Sequence, residues 1–229
     1  MTEPLPEPLA AGPGAAAARP ARGWRAEAEA EIRRSRFLAL AARADSEAEA
    51  RELFAAARRR HVGARHYCTA FIVAEGSGAP TSRSSDDGEP AGSAGRPMLA
   101  VLAGTGLVNV AAVVARHFGG VKLGVGGLTR AYSGVVQDAL ADVPRVVPSV
   151  RPLWRLRLGH SQAGRLSAEL RRRGALVAGE AYEGEAVVLD LAFGPEADVP
   201  SLLAQLGCAA AACPAGFQVV EEQLPEIAC

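Results

Sequence analysis

"VNVAAVVARHFGGVKLGVGGLTRAYSG" occupies residues 108–134. Its first part, "VNVAAVVARHF" (108–118), is a hydrophobic run rich in β-branched residues and too short for a core helix, so it reads as a strand buried on both faces. Five glycines then bracket Lys122: Gly119, Gly120, Gly124, Gly126 and Gly127. Beyond them Leu128, Tyr132, Val135, Val136, Ala139, Leu140 and Val143 recur at helical spacing and draw one apolar stripe. A strand covered on both sides, a glycine loop and an amphipathic helix over about 128–141 set the centre of a mixed α/β domain.

Working outward, Glu27 to Ala42 reads as two short strands meeting near Arg34 and Ser35. A helix follows, with Ser46 at its N-cap, Glu49 three residues on, and Ala50, Leu53, Phe54 and Ala57 facing inward. "HYCTAFIVAEG" (66–76) is a strand ending in turn residues, 76–95 is a long loop rich in Gly, Ser, Asp and Pro, and Pro97 opens a helix to about Ala103. Residues 1–24 are Pro-, Ala- and Gly-rich and are expected to be a disordered tail. Residues 25–146 then form the first domain and the proline-bearing stretch 147–152 a linker. Residues 153–229 repeat a half-pattern twice in the order βαββαβ, with Val187, Leu189, Leu191 and Phe193 alternating in "EAVVLDLAF". That order gives a ferredoxin-like sandwich. The fold class is α+β, in two domains.

The chain of 229 residues has zero formal net charge, so any nucleic-acid or membrane attraction must come from a local patch. The uncharged stretch 97–115 is broken by Gly104, Gly106 and Asn109 and reads as core rather than membrane span. Cys68, Cys208, Cys213 and Cys229 lack zinc-ligand spacing. Together with a start that has no secretory h-region, they point to reduced thiols and a cytoplasmic protein. No cofactor and no metal are expected, and the sequence sets no oligomeric state.

Lys122 is the only lysine; the other 24 of 25 basic residues are arginine. Glycines let main-chain N–H groups converge, and the first helical turn has N–H groups without intrahelical partners at the positive end of the dipole. The loop therefore suits a phosphate or carboxylate, with Arg116, His117, Lys122 and Arg130 around it. From Pro97 to Gln137 there is no acidic residue. Neither "GTGLVN" (104–109) nor "GGVKLG" (119–124) completes a dinucleotide or P-loop fingerprint. The second dense segment, "SRSSDDGEPAGSAGRP" (82–97), holds Asp86, Asp87, Gly88, Glu89 and Arg96. Its carboxylates suit a hard cation or acid/base work, while the same residues make an ordinary solvent turn, which chemistry alone favours.

These two motifs, with "IRRSRF" and "RHYCTAF", resemble the IMPACT/YigZ family over roughly residues 29–141, with the bacterial-type C-terminal domain after them. The resemblance implies a first domain with a ribosomal-protein fold, also that of domain IV of elongation factor G, and a ferredoxin-like second domain. It also implies a role in translation or stress response, since eukaryotic relatives restrain a stress kinase acting on translation initiation. Three positions depart from the family pattern: His117 for the usual Tyr, Val125 for a common Thr, and Ser93 for a common Thr.

Three functions stay open on the residues. The favoured one is a non-catalytic regulator that binds RNA or the ribosome, or a translation-related protein, through the basic glycine loop. Another is a small-molecule enzyme with the acidic loop opposed to Lys122 across a cleft, and the third is a protein-interaction module using an exposed sheet face.

Overall fold

The computed structural model describes residues 17–76, 78–194 and 196–224. They divide into two compact units, one running to Pro148 and taking in the residues from Glu221, the other spanning Ser149–Val220. Among them no helix is long and apolar enough to cross a membrane.

Three strands begin the first unit: β1 (Arg19–Pro20), β2 (Arg25–Ile32) and β3 (Ser35–Arg43). After them come helix α1 (Glu47–Arg60), β4 (His66–Val73), β5 (Thr81–Ser85), α2 (Gly95–Gly104), β6 (Val110–His117) and α3 (Val125–Leu140). The main sheet runs β2-β3-β6-β4-β5, antiparallel throughout. β6 lies at its centre. Val110, Ala112 and Val114 enter one core with Leu128, Tyr132, Val135 and Val136 of α3 and Met98 and Leu102 of α2. Ala111, Val113 and Ala115 face the other side, where α1 supplies Ala50 and Ala57. The strand is thus covered on both faces, as its unbroken apolar run requires.

Local chemistry explains the element ends. Ser46 Oγ accepts from the Glu49 N–H at 3.1 Å, while Glu49 Oε2 accepts from the Asp45 N–H at 2.8 Å, a capping box shifted back by one residue. Asn109, the only asparagine, is buried with φ 57°, a conformation asparagine tolerates better than most residues. Its Nδ2 donates to Asp45 Oδ1 and its Oδ1 accepts from the Ala74 N–H, fastening α1 and the end of β4 to the start of β6.

After α3 come β7 (Arg145–Gly159), which begins in the first unit, α4 (His160–Arg172), β8 (Leu176–Glu183), β9 (Ala186–Ala192), α5 (Val199–Gln205) and β10 (Ala212–Gln223), whose last residues, from Glu221, are again in the first unit. β9 pairs antiparallel with both β7 and β8, and β10 pairs with β7. The resulting order, β10-β7-β9-β8, is that of the expected ferredoxin-like sandwich. Leu156, Leu158, Leu189, Leu191 and Phe193 of the sheet region meet Leu166 and Leu170 of α4 and Leu203 of α5.

Four expectations need correction. The tail was placed over residues 1–24, of which 1–16 lie outside the described residues. From Ala17 onward the chain is structured: Arg19 and Pro20 pair with Val146 and Arg145, and Trp24 packs against the main core. The expected linker 147–152 does hold the division between the units, after Pro148, but its residues are extended within strand β7, because a proline's φ fits an extended chain and only its missing donor is lost. The loop 76–95 contains β5, whose "TSRSS" is exposed along its whole length and pairs with β4 through main-chain bonds, leaving no apolar alternation to read. Helix α3 also starts three residues earlier than its apolar stripe suggests, taking Gly126 and Gly127 into its first turn.

Gly119, just beyond β6, is sterically fixed. A Cβ there would lie 2.0 Å from the carbonyl carbon and oxygen of Arg34. Gly119→Ala is expected to destabilise the protein by about 3 kcal/mol or more in urea melts, as a backbone clash in a packed turn must. Gly134→Ala, inside α3 where an added Cβ meets nothing within 4 Å, should instead stabilise by up to about 1 kcal/mol.

Candidate functional site

The acidic motif folds inward. Asp86 Oδ1 accepts from the Ala94 and Gly95 N–H groups at 3.0 and 2.8 Å, and its Oδ2 accepts from the Gly92 N–H at 2.7 Å. Ala94, at the N-cap of α2, has no side-chain oxygen to offer, so Asp86 caps that helix from nine residues upstream of its first residue. Asp87, with φ 43°, accepts from the Tyr67 N–H at 2.7 Å and from Arg58 Nη2 at 2.9 Å, and its carbonyl accepts from His66 Nδ1 at 2.8 Å. Gly88 turns the chain at φ 86°. Arg96 is exposed on the first turn of α2.

Glu89 then enters the core. Its Oε1 accepts from Arg116 Nη1 at 2.6 Å and from the Tyr132 hydroxyl at 2.8 Å, all three side chains being buried. Arg116 Nη2 donates to Ser35 Oγ at 3.4 Å, and that oxygen also accepts from the Gly119 N–H at 3.1 Å. The Arg116 guanidinium lies 5.4 Å from the Phe37 ring centroid and 5.5 Å from that of Phe118. Phe37 in turn meets Tyr132 edge-on at 5.2 Å. Beneath the motif Cys68 Sγ donates to the Asp86 carbonyl at 3.0 Å, and burial pushes its thiol up to about 12. Cys68 is an inert core thiol.

This geometry corrects the reading of Arg116 as an anion-binding residue: it is 5% exposed and holds a carboxylate of its own chain. It also corrects the solvent-turn reading of Asp86, Asp87 and Glu89. The residues are polar because they cap a helix, dock a strand and neutralise a buried guanidinium. Among the described residues, cavities of about 550 and 660 Å³ lie in this unit, and Lys122 and these carboxylates line neither of them. His117 and His61 line the smaller one, on the α1 side of the sheet.

The rest of the glycine loop faces outward. Gly120 and Gly124 have φ 85° and 71°, and Gly124 is the N-cap of α3. The Leu128 N–H donates to the Gly124 carbonyl at 3.0 Å. No described residue accepts from the N–H groups of Val125, Gly126 or Gly127. Lys122 and Arg130 are exposed and form no ion pair with described residues. A Cβ at Gly126 would meet nothing within 4 Å, so no protein contact demands glycine there. Phe118, Val121 and Val125 are exposed apolar residues of the same loop, at 40%, 39% and 58%. The exposed turn residues Arg33 and Arg34 lie outside the residues to which the sequence points. The run of two arginines before Ser35 in a two-residue hairpin was the available signal.

Glu89→Gln is expected to cost about 3–5 kcal/mol in chemical denaturation, because it leaves the Arg116 charge buried without a counter-charge. At Asp86, burial opposes ionisation, but the amides of Gly92, Gly95 and Ala94 outweigh it and hold the carboxyl below its ordinary value. A folded-state value below the unfolded one contributes stability above the ordinary carboxylate range, lost as pH falls through the lowered value. Asp86→Asn should thus cost about 2 kcal/mol at neutral pH, and the gap from wild type should close only in strong acid.

Residues 33–140 match the Impact N-terminal domain. The chain is 40% identical over 134 residues to an IMPACT family member of Haemophilus influenzae, covering 58% of this chain and 65% of that one. It is 43% identical over 113 residues to the IMPACT family member YigZ of Escherichia coli, with 49% and 55% covered. The chain thus spans less than two thirds of the length of either protein. Against the IMPACT family member in pol 5'region of Thermus thermophilus, identity is 43% over 169 residues, covering 72% of this chain and 87% of that one. A crystal structure of a hypothetical protein, 31% identical, superposes with a TM-score of 0.54 and covers 92% of this chain and 98% of its own. On these similarities the chain belongs to the IMPACT family.

Proposed function

We propose that this protein is a non-catalytic regulator linked to translation or stress response, and that it binds RNA phosphates through the outward glycine loop. The observation that carries this is the first turn of α3. Three N–H groups there have no acceptor among the described residues, beside an exposed Lys122 and Arg130 that have no carboxylate of their own. An exposed glycine in the first turn of a helix lowers stability by up to about 1 kcal/mol relative to alanine. Gly126 is such a residue, and an open approach to the main-chain amides gives it a purpose.

The opposed-cleft enzyme is less well supported, since the carboxylates it needs are engaged in capping and in the Arg116 pair. With Arg116 withdrawn into the core, the exposed cations here are few, so affinity is modest and falls steeply with salt.

The test is fluorescence anisotropy of a labelled RNA across a salt series. The Lys122→Ala, Arg130→Ala double variant should weaken binding and lower the slope of log K against log salt by about 1.4, the share of two phosphate contacts on a single strand. Gly126→Ala should bind RNA more weakly while melting no lower than wild type. Binding to wild type that ignores salt, or a double variant with an unchanged slope, rules the reading out. Capture of a translation protein that persists at high salt would transfer the role to a protein partner.

A further inference from the structure

The turn between β2 and β3 carries side chains that its backbone conformation disfavours. Ile32 pairs with Ser35, so Arg33 and Arg34 are the two residues of a tight hairpin, with φ of 47° and 66°. Hairpins of this form favour Asn-Gly or Asp-Gly, because each side chain with positive φ crowds its own backbone. Arginine is a poor choice twice over. Both residues are exposed, and neither makes an ion pair or a side-chain hydrogen bond with a described residue. Their backbone is nevertheless held firmly, since the Arg34 carbonyl packs where any side chain at position 119 would go and Ser35 Oγ takes the Gly119 N–H.

Phe118 precedes Gly119 and leaves the sheet beside that turn. Its ring is 40% exposed, with the fixed guanidinium of Arg116 at 5.5 Å and that of Arg65 at 5.8 Å. Arg65 is itself exposed and has no ion pair with a described residue. The register sets these groups at one end of the sheet, because the start of β3 and the start of β4 both flank the end of β6: Arg36 lies opposite His117, and His66 opposite Arg116. Of the nearby carboxylates, Glu89 is paired with Arg116 and Asp87 with Arg58, which leaves the exposed Glu31 of β2 as the opposing charge. An exposed aromatic ring flanked by two guanidinium groups, that of Arg65 being exposed, suits a flat, negatively charged polymer whose faces are free.

We propose that this end of the sheet takes single-stranded RNA, one unpaired base lying on the Phe118 ring and the adjoining phosphates held by the Arg33–Arg34 turn and Arg65. The inference rests on the RNA reading above and specifies the form of RNA bound. In a duplex the base faces are already stacked on one another, so the ring has nothing to receive.

The experiment compares one short labelled RNA, single-stranded and annealed to its complement, on the full chain by anisotropy across salt. The single strand should bind about tenfold or more tightly than the duplex. Phe118→Leu should remove about tenfold of the single-strand affinity and leave the salt slope unchanged. Because Phe118 also packs on Arg116, the paired change Arg33→Asn with Arg34→Gly provides a check free of folding loss. It restores favoured turn residues, so the melting temperature should rise while the salt slope falls by about 1.4. Equal binding of the two RNA forms, or a turn variant that keeps the wild-type slope, overturns the inference and leaves salt-dependent RNA binding standing. Absence of RNA binding by the wild type removes the reading on which it depends, and the inference with it.

Discussion

The buried pair between Arg116 and Glu89 is the contact around which the first unit is organised. Arg116 is the penultimate residue of the central strand, Glu89 comes from the loop before α2, and the Tyr132 hydroxyl brings in α3 through the same carboxylate oxygen. Ser35 adds the start of β3 and, through Gly119, the glycine loop. Taking two charges out of water is unfavourable by itself and is offset only where geometry and further hydrogen bonds are good. Here one carboxylate accepts from a guanidinium and a phenol, and two aromatic rings, Phe37 and Phe118, lie by the guanidinium. The pair contributes registry as much as stability: it fixes where β6 stops and hence where the glycine loop begins.

That arrangement separates carboxylates engaged inside the fold from cations left outside it. The carboxylates of Asp86, Asp87 and Glu89 are each satisfied within the protein. The cations of Arg33, Arg34, Arg65, Lys122 and Arg130 stay exposed. A chain of zero formal charge thus keeps exposed cations in this unit while the carboxylates of its acidic motif are engaged internally. Lys122 remains the odd residue of a lysine-poor chain. An ammonium on a flexible stem can be aimed at a point charge, which the broader, planar guanidinium does less freely.

Much of the fold was legible because it is written in local periodicity. The run from Val110 to Ala115 could only be a strand covered twice, and the stripe from Leu128 to Leu140 could only be a helix against it. The alternation at Val187, Leu189 and Leu191 likewise placed β9. What escaped depends on partners distant in sequence. Nothing in "TSRSS" signals an edge strand, since its pairing uses the main chain alone. Arg19 and Pro20 are held by Val146 and Arg145, more than a hundred residues away. The role of Arg116 was hidden for the same reason. Beside glycines and Lys122 it looks like a surface cation, and only the 27-residue separation to Glu89, closed by the fold, turns it inward. The acidic motif was read as a turn because its residue types make turns, whereas the acceptors it provides serve α2, β4 and the core.

The central claim is that the first turn of α3 and the loop before it receive negative charge from outside the chain. Amide-resolved NMR of the ¹⁵N-labelled protein, titrated with a short single-stranded RNA, tests it most directly. The account predicts shifts concentrated at Val125, Gly126 and Gly127, extending to Phe118, Gly119 and the Arg33–Arg34 turn, and reversed by added salt. Saturable shifts confined to other surfaces, with those amides unmoved, would contradict it.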